Sequence, residues 1–245
     1  MQRIITASTF VLTLVIASLN VTAQTAQPKT RDDIVKEIEA KRAEIAALEP
    51  QLLAVSDADR QEFAAFLNQP QTGIIRLLPR EKYTKLVTLN GGGGYYSFVR
   101  ATHEYGYGSD IALESGMLSV GFVGADYGMI LNLGDVPLEQ VTDEQRGVRA
   151  LLDYTPPVKE ADVRRLQQQV WQGVELAGMN FKNRVSAKVS NTYLLRSISF
   201  ERSDLLVALR VVREDSDGSF VLVFKMLKKF PTPELERNRT ASVNQ

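Results

Sequence analysis

The stretch from Thr192 to Lys229 constrains this chain more than any other. Three segments, 192–200, 205–213 and 219–229, alternate with period two and are separated by short polar turns. Asp217-Gly218 lies in the second turn, a dipeptide that tolerates the positive φ angles of a tight hairpin. The three segments therefore read as an antiparallel meander. In the middle one, Leu205, Val207, Leu209 and Val211 share a face, and Leu206 and Val212 lie on the other. In the last, Phe220, Leu222, Phe224 and Met226 oppose Val221, Val223 and Leu227. Strands that are apolar on both faces belong to a sheet covered on both. The chain has no cysteine, so that cover must be held by packing and hydrogen bonds, without a disulfide framework.

The residues before the meander supply candidates for the cover. The spacing predicts a helix over 31–55, with Ile34, Ile38, Ile45, Leu48 and Leu52 at coiled-coil-like intervals, Lys41 interrupting the seam and Pro50 kinking the helix. Ser56 reads as the N-cap of a second helix to about Asn68. A breaker at Gln69-Pro70-Gln71-Thr72-Gly73 precedes a short apolar run over 74–78. Alternation then predicts strands over 83–89, 95–105, 111–122 (one long or two short) and 128–133. Thr142 and Gln145 have capping-box spacing for a helix to Leu152. A stronger helix is predicted over 160–177, with Val163, Leu166, Val170, Val174 and Ala177 as its stripe, Trp171 beside them as core, and Gly178 as its stop. Helices segregated from antiparallel strands imply an α+β fold. The expected divisions are a helical segment over 31–68, an α+β domain over 79–230 and a disordered tail over 231–245. One sheet drawing on both β regions, with helix 160–177 across it, is the expected arrangement; two sheets are the alternative.

The N-terminus carries a separate signal. Arg3 precedes 4–21, which lack any charge, and Val21-Thr22-Ala23 then offers a cleavage site. Residues 1–23 read as a secretory signal peptide followed by a linker over 24–30. Seven Ser, Thr and Asn residues dilute the apolar run, which weighs against an uncleaved anchor. No later stretch is apolar enough to span a bilayer. A periplasmic or extracellular location is expected.

Composition narrows the chemistry. Lys plus Arg number 29 and Asp plus Glu number 29, which removes the electrostatic argument for nucleic acid as a partner. Without cysteine, and with His103 alone, there is no thiolate or multi-histidine metal site; no metal and no cofactor are expected. Asp215-Ser216-Asp217-Gly218 resembles the start of a calcium loop but lacks the distal Glu. Gly91-Gly92-Gly93-Gly94 is followed by no Gly-Lys-Ser/Thr, so it is not a P-loop.

What remains is a region rich in glycine and tyrosine. Tyr95, Tyr96, Tyr105 and Tyr107, with Arg100, suit a shallow surface for a small molecule, a glycan or a peptide segment of a protein. The competing reading is a twisted sheet whose glycines mark bulges and turns. His103, with Asp110 or Glu114 nearby, is the candidate catalytic set, although no serine lies in a Gly-x-Ser-x-Gly elbow. The leading expectation is a non-enzymatic ligand- or partner-binding protein. A hydrolase built on His103, and a structural protein that oligomerises through the N-terminal helix, are the rivals.

Overall fold

The computed structural model describes residues 29–83, 92–103, 105 and 108–237. The signal peptide, most of the linker, the strand expected over 84–89, Gly91, Tyr107 and residues 238–245 lie outside them. The chain divides into a unit ending at Glu39 and a unit from Ala40 to Gln245. In the first unit, Thr30 opens the helix: its hydroxyl donates to Asp33 Oδ2 at 2.6 Å and accepts from Asp33 N at 3.1 Å. This helix, α1 (Arg31–Leu53), continues past Glu39 into the larger unit, contains Pro50 and buries none of its residues.

The larger unit is the α+β fold expected. Its elements are α2 (Asp57–Glu62), α3 (Ala64–Leu67), β1 (Thr72–Leu77), α4 (Arg80–Tyr83), β2 (Tyr95–Tyr96), β3 (Ile111–Glu114), β4 (Met117–Ser119), β5 (Tyr127–Gly134), α5 (Arg146–Asp153), α6 (Glu160–Gln172), β6 (Val174–Leu176), β7 (Met179–Phe181), β8 (Arg184–Ser186), β9 (Thr192–Ser199), β10 (Ser203–Glu214) and β11 (Phe220–Lys229). A five-stranded antiparallel sheet runs β1-β11-β10-β9-β5, so it draws on both β regions. A second sheet, β2-β3-β4-β8, and the hairpin β6-β7 are separate. Both expected arrangements are thus present in part.

The meander supplies the centre of the large sheet, and every residue of β9 is buried. One face of the meander packs against the second sheet. Tyr193, Leu195, Leu205, Val207, Leu209 and Leu222 meet Tyr96, Ile111, Leu113, Leu118 and Val120 there. The opposite face packs under helices, where Leu194, Leu206, Ala208 and Val223 meet Phe66, Val148, Leu151, Val170 and Phe181. Each buried Leu, Ile or Phe in these layers contributes about 1.5–3 kcal/mol. The two-faced cover follows from the two-faced apolar pattern.

Several local expectations are corrected. The sheet begins at β1, ahead of the boundary set at 79, because Gly73 to Leu77 pairs with Phe224 to Phe220 as an edge strand. The residues read as strand 95–105 give only β2; Ser97 pairs with Thr102, and Phe98 to Ala101 form the turn between them. Tyr83, placed in a strand, ends α4. The segment 111–122 resolves into two short strands, because Ser115 (φ 51°) and Gly116 (φ 69°) make a tight turn. Helix α5 starts at Arg146 without a side-chain cap; Gln145 donates to Gln140 O at 3.1 Å, so the capping box does not form. Helix α6 stops at Gly173 (φ 116°) and not at Gly178; Ala177-Gly178 turns the hairpin β6-β7. Trp171, expected in the core, is 66% exposed. Residues 231–237, expected in a disordered tail, are held down: Glu236 N donates to Val158 O at 2.8 Å, and Glu201 N to Pro233 O at 2.8 Å.

Charge is managed locally. Tyr83 donates to Asp217 Oδ2 at 2.5 Å and Ser219 N to Asp217 Oδ1 at 2.9 Å, while Arg76 lies 2.9 Å from Asp215 and 3.5 Å from Asp217. The bonds from Tyr83 and Ser219 outweigh partial burial and hold Asp217 down to about 2. The calcium-loop resemblance is therefore an ion-paired hairpin turn, and no acid or His cluster suited to a metal occurs among the described residues. Arg210 donates to Val136 O at 3.0 Å and pairs with Asp135, and Arg213 pairs with Asp59 and Asp215. The charges of these two arginines of β10 are thus compensated.

Candidate functional site

The described site residues, Tyr95, Tyr96, Arg100, His103, Tyr105, Asp110 and Glu114, lie on β2, on β3 and between them, in the stretch called loop 97–110 below. Its base is fixed by Asp110. The backbone N of Asp110 donates to Tyr96 O at 2.8 Å. Its carboxylate accepts from Phe98 N and from Ser197 Oγ, each at 2.8 Å. One fully buried side chain thus joins the start of the loop, its end and strand β9. Burial pushes the Asp110 carboxyl up to about 6; the bonds from Ser197, Phe98 and Ser97, and the Arg100 guanidinium, pull the other way. The loop closes through Ser97 N to Thr102 O at 2.9 Å, with Ala101 at φ 52°.

Strand alternation sends the two neighbouring tyrosines to different places. Tyr95 is buried beneath Tyr105, their ring centroids 4.6 Å apart, with Phe122 edge-on at 5.2 Å. Arg80 lies 5.6 Å from the Tyr95 centroid and pairs with Glu114 at 3.0 Å. Tyr96 turns into the core, edge-on to His103 at 4.9 Å and to Phe98 at 5.3 Å. Tyr105 is half exposed and caps the first cluster. Tyr107 lies outside the described residues.

The catalytic candidates are not assembled. His103 Nε2 donates to Arg76 O at 2.9 Å, which fixes the Nε2–H tautomer on a backbone carbonyl. Burial holds this imidazole below its ordinary range, against the opposing effect of that bond. Asp110 is bonded to serine and backbone, and Glu114 to Arg80. No His–carboxylate hydrogen bond occurs among the described residues. A nucleophile, base and orienting acid in sequence is the arrangement that serine catalysis needs, and these residues do not form it.

Two clefts border the loop instead. One, of about 370 Å³, is lined by Glu49, Pro50, Leu53, Gly92, Thr102 and His103. The hydroxyl of Thr102 is buried there without a hydrogen-bond partner among the described residues. Gly92 keeps this wall close, since a Cβ there would displace the Glu49 carboxylate and lie 3.1 Å from His103 O. The second cleft, of about 340 Å³, is lined by Ser97, Val99, Arg100, Gly108, Arg202 and Ser203. Arg202 stands 3.8 Å from Asp126, a buried acid that also accepts from Phe200 N at 3.1 Å; burial raises the Asp126 carboxyl, and Arg202 opposes that rise.

The loop was legible in the sequence as a concentration of glycine and tyrosine, but Glu49 and Arg202 were not. They reach the clefts from α1 and from the β9–β10 turn, elements far from the loop in sequence. The sole local hint for Arg202 was its place in the first turn of the meander. Comparison with protein-family models, with curated proteins and with solved structures finds no match.

Proposed function

We propose that this is an exported protein of the periplasm or extracellular space that binds a ligand or partner without catalysing a reaction, and that loop 97–110 is its binding element. One observation carries this reading. The loop is pinned at its base by buried Asp110 and bordered by two open clefts, while His103, Asp110 and Glu114 are each bonded elsewhere. A rigid base beneath exposed Arg100 and half-exposed Tyr105 suits recognition, because little conformational freedom is lost when a partner docks. Export rests on the charged start, apolar run and cleavage motif of 1–23.

The test has two arms. N-terminal sequencing of the protein from its native host should begin at Gln24; a start at Met1 ends the export reading. Capture of small molecules and proteins on the immobilised chain, compared with an Arg100→Ala/Tyr105→Ala variant, should lose at least one species. Identical captured sets would remove the loop as a binding element.

We also propose self-association through α1, since Ile34, Ile38, Ile45 and Leu48 are 45%, 45%, 40% and 61% exposed along it. Deleting residues 31–48 should lower the number of chains in the particle measured by light scattering. An unchanged number excludes this reading.

A further inference from the structure

The single tryptophan of the chain stands in the solvent. Trp171 lies in the last turn of α6 and is 66% exposed, although Val163 and Val170 of the same helix are buried. A tryptophan has a large apolar surface, so leaving it uncovered forgoes the stabilisation that burial would give. A shallow basin of about 590 Å³ lies beside it, lined by Arg164, Gln167, Gln168, Trp171 and Gln172. Three of these five are amides.

The surroundings are ordered and electrically balanced. Gln167 Nε2 donates to Gly124 O at 3.2 Å and to Asp126 O at 2.8 Å, so both amide hydrogens are used and Oε1 is left as an acceptor. Arg164 donates to Gly124 O and pairs with Glu160 at 3.1 Å, and Arg165 pairs with Asp162 at 3.2 Å. The side chains of Gln168 and Gln172 make no hydrogen bond to a described residue. Each therefore presents an amide with donors and an acceptor. The face thus combines one flat aromatic ring, amides of both polarities and cations whose charge is already met.

We propose that this face of α6 is a binding platform for a neutral carbohydrate. The apolar C–H face of a pyranose lies flat on an indole, and its ring hydroxyls both donate and accept, as the amides do. Charge complementarity selects this ligand class. An anionic lipid surface or nucleic acid calls for unpaired cations, and here both arginines are paired. A protein hot spot sits in a well-packed pocket sealed from water, and here the ring stands beside an open, shallow basin. The platform lies on α6 and is independent of loop 97–110.

The tryptophan reports on its own occupancy. The full mature chain is titrated with cellohexaose, maltohexaose and chitotetraose while indole emission is followed. One or more of them should give a saturable blue shift, and Gln168→Ala/Gln172→Ala should weaken that binding several-fold. Calorimetry supplies the measurement for Trp171→Ala, which should bind about tenfold or more weakly; Trp171→Phe should retain part of the affinity. Absence of a shift with every saccharide overturns the proposal, as does unchanged affinity in Trp171→Ala. A blue shift that appears only with phosphatidylglycerol vesicles, or only with rising protein concentration, overturns it in favour of a membrane or a second copy.

Discussion

Strand β9 places two neighbouring residues on opposite faces of the large sheet, and each meets a buried carboxylate. Arg196 faces the helical layer. Its Nε and Nη2 donate to the two oxygens of Asp204 at 2.9 and 2.8 Å, and its Nη1 to Leu151 O and Tyr154 O at 2.5 and 2.6 Å. Its guanidinium carbon lies 3.8 Å from the Phe230 ring centroid and 5.5 Å from that of Tyr154. Ser197 faces the second sheet and gives Asp110 a neutral hydroxyl donor. The two burials solve one problem differently. On the helical side the charge is matched by a charge, and the fork also captures the carbonyls that end α5. On the other side a carboxylate is satisfied by hydroxyl and amide donors, which leaves its proton affinity raised. The first arrangement fixes a helix to the sheet. The second holds the base of a loop and makes that hold depend on pH.

Removing one member of the matched pair should have the largest effect. Arg196→Leu leaves Asp204 buried without its cation and the carbonyls of Leu151 and Tyr154 without a donor. It should cost about 3–5 kcal/mol in urea unfolding. Replacing both partners, as Arg196→Met with Asp204→Leu, should recover most of that loss. A double variant no better than the single one would show that the carbonyl bonds, and not the ion pair, carry the clasp.

The loop side should respond to acid. The folded-state value for Asp110, about 6, lies above its ordinary 3.8. The contribution from its protonation is therefore fully present below about pH 4 and is lost as pH rises through 6. The span is up to about 3 kcal/mol. Stability of the native chain minus that of Asp110→Asn, measured from pH 4 to 7, should fall across this window. A flat difference would erase the contrast between the two faces. Asp217, held at about 2, contributes with the opposite sign: its stabilisation is present above 3.8 and fades as pH drops toward 2.

A smaller effect measures how closely the second sheet approaches. A Cβ at Gly128 of β5 would press on Val120 of the opposing sheet and stand 2.5 Å from the carbonyl oxygen of Arg196. Gly128→Ala should destabilise by about 1–3 kcal/mol in thermal unfolding, since the backbone oxygen has no room to yield. No loss would mean that the two sheets are looser on this face than the packing implies. The smallest effect is expected outside both cores. Trp171→Ala should change stability by no more than about 0.5 kcal/mol, because the ring is mostly in solvent. A larger loss in the same melt would place the ring in the packing beneath α6.

The meander was legible because its information is local. Alternation, two apolar faces and Asp217-Gly218 lie within 38 consecutive residues, and partners meet across short turns. The loop was misread for the converse reason. Tyr95 to Tyr105 alternate well enough to suggest a strand, but Asp110 closes the turn by reaching Ser197, 87 residues away. No local pattern encodes that bond. The end of α6 failed differently: Gly173 and Gly178 are both helix stops by composition, and pairing of β6 with β7 selects the earlier one. Trp171 reads as core because it stands beside the stripe in sequence, but Val163, Leu166 and Val170 fill the inward face and leave it outside. The candidate site was visible as a region and not as a constellation, because its clefts join the loop to α1 and to the β9–β10 turn.

The order of strands in the large sheet also sets a timetable. β1 is made early, yet its only neighbour is β11, whose residues 220–225 complete the pairing with 77–72. β5 likewise waits for β9, and β9 for β10. A growing chain therefore carries β1 without its sheet partner until β11 is made, while β5 meets Lys182 through Ile130 before β9 completes its pairing. The sheet can close only after the last fifty or so residues have emerged, when the meander forms locally and recruits both edges. Any fragment cut short before Phe220 retains β1 as an unpaired apolar segment.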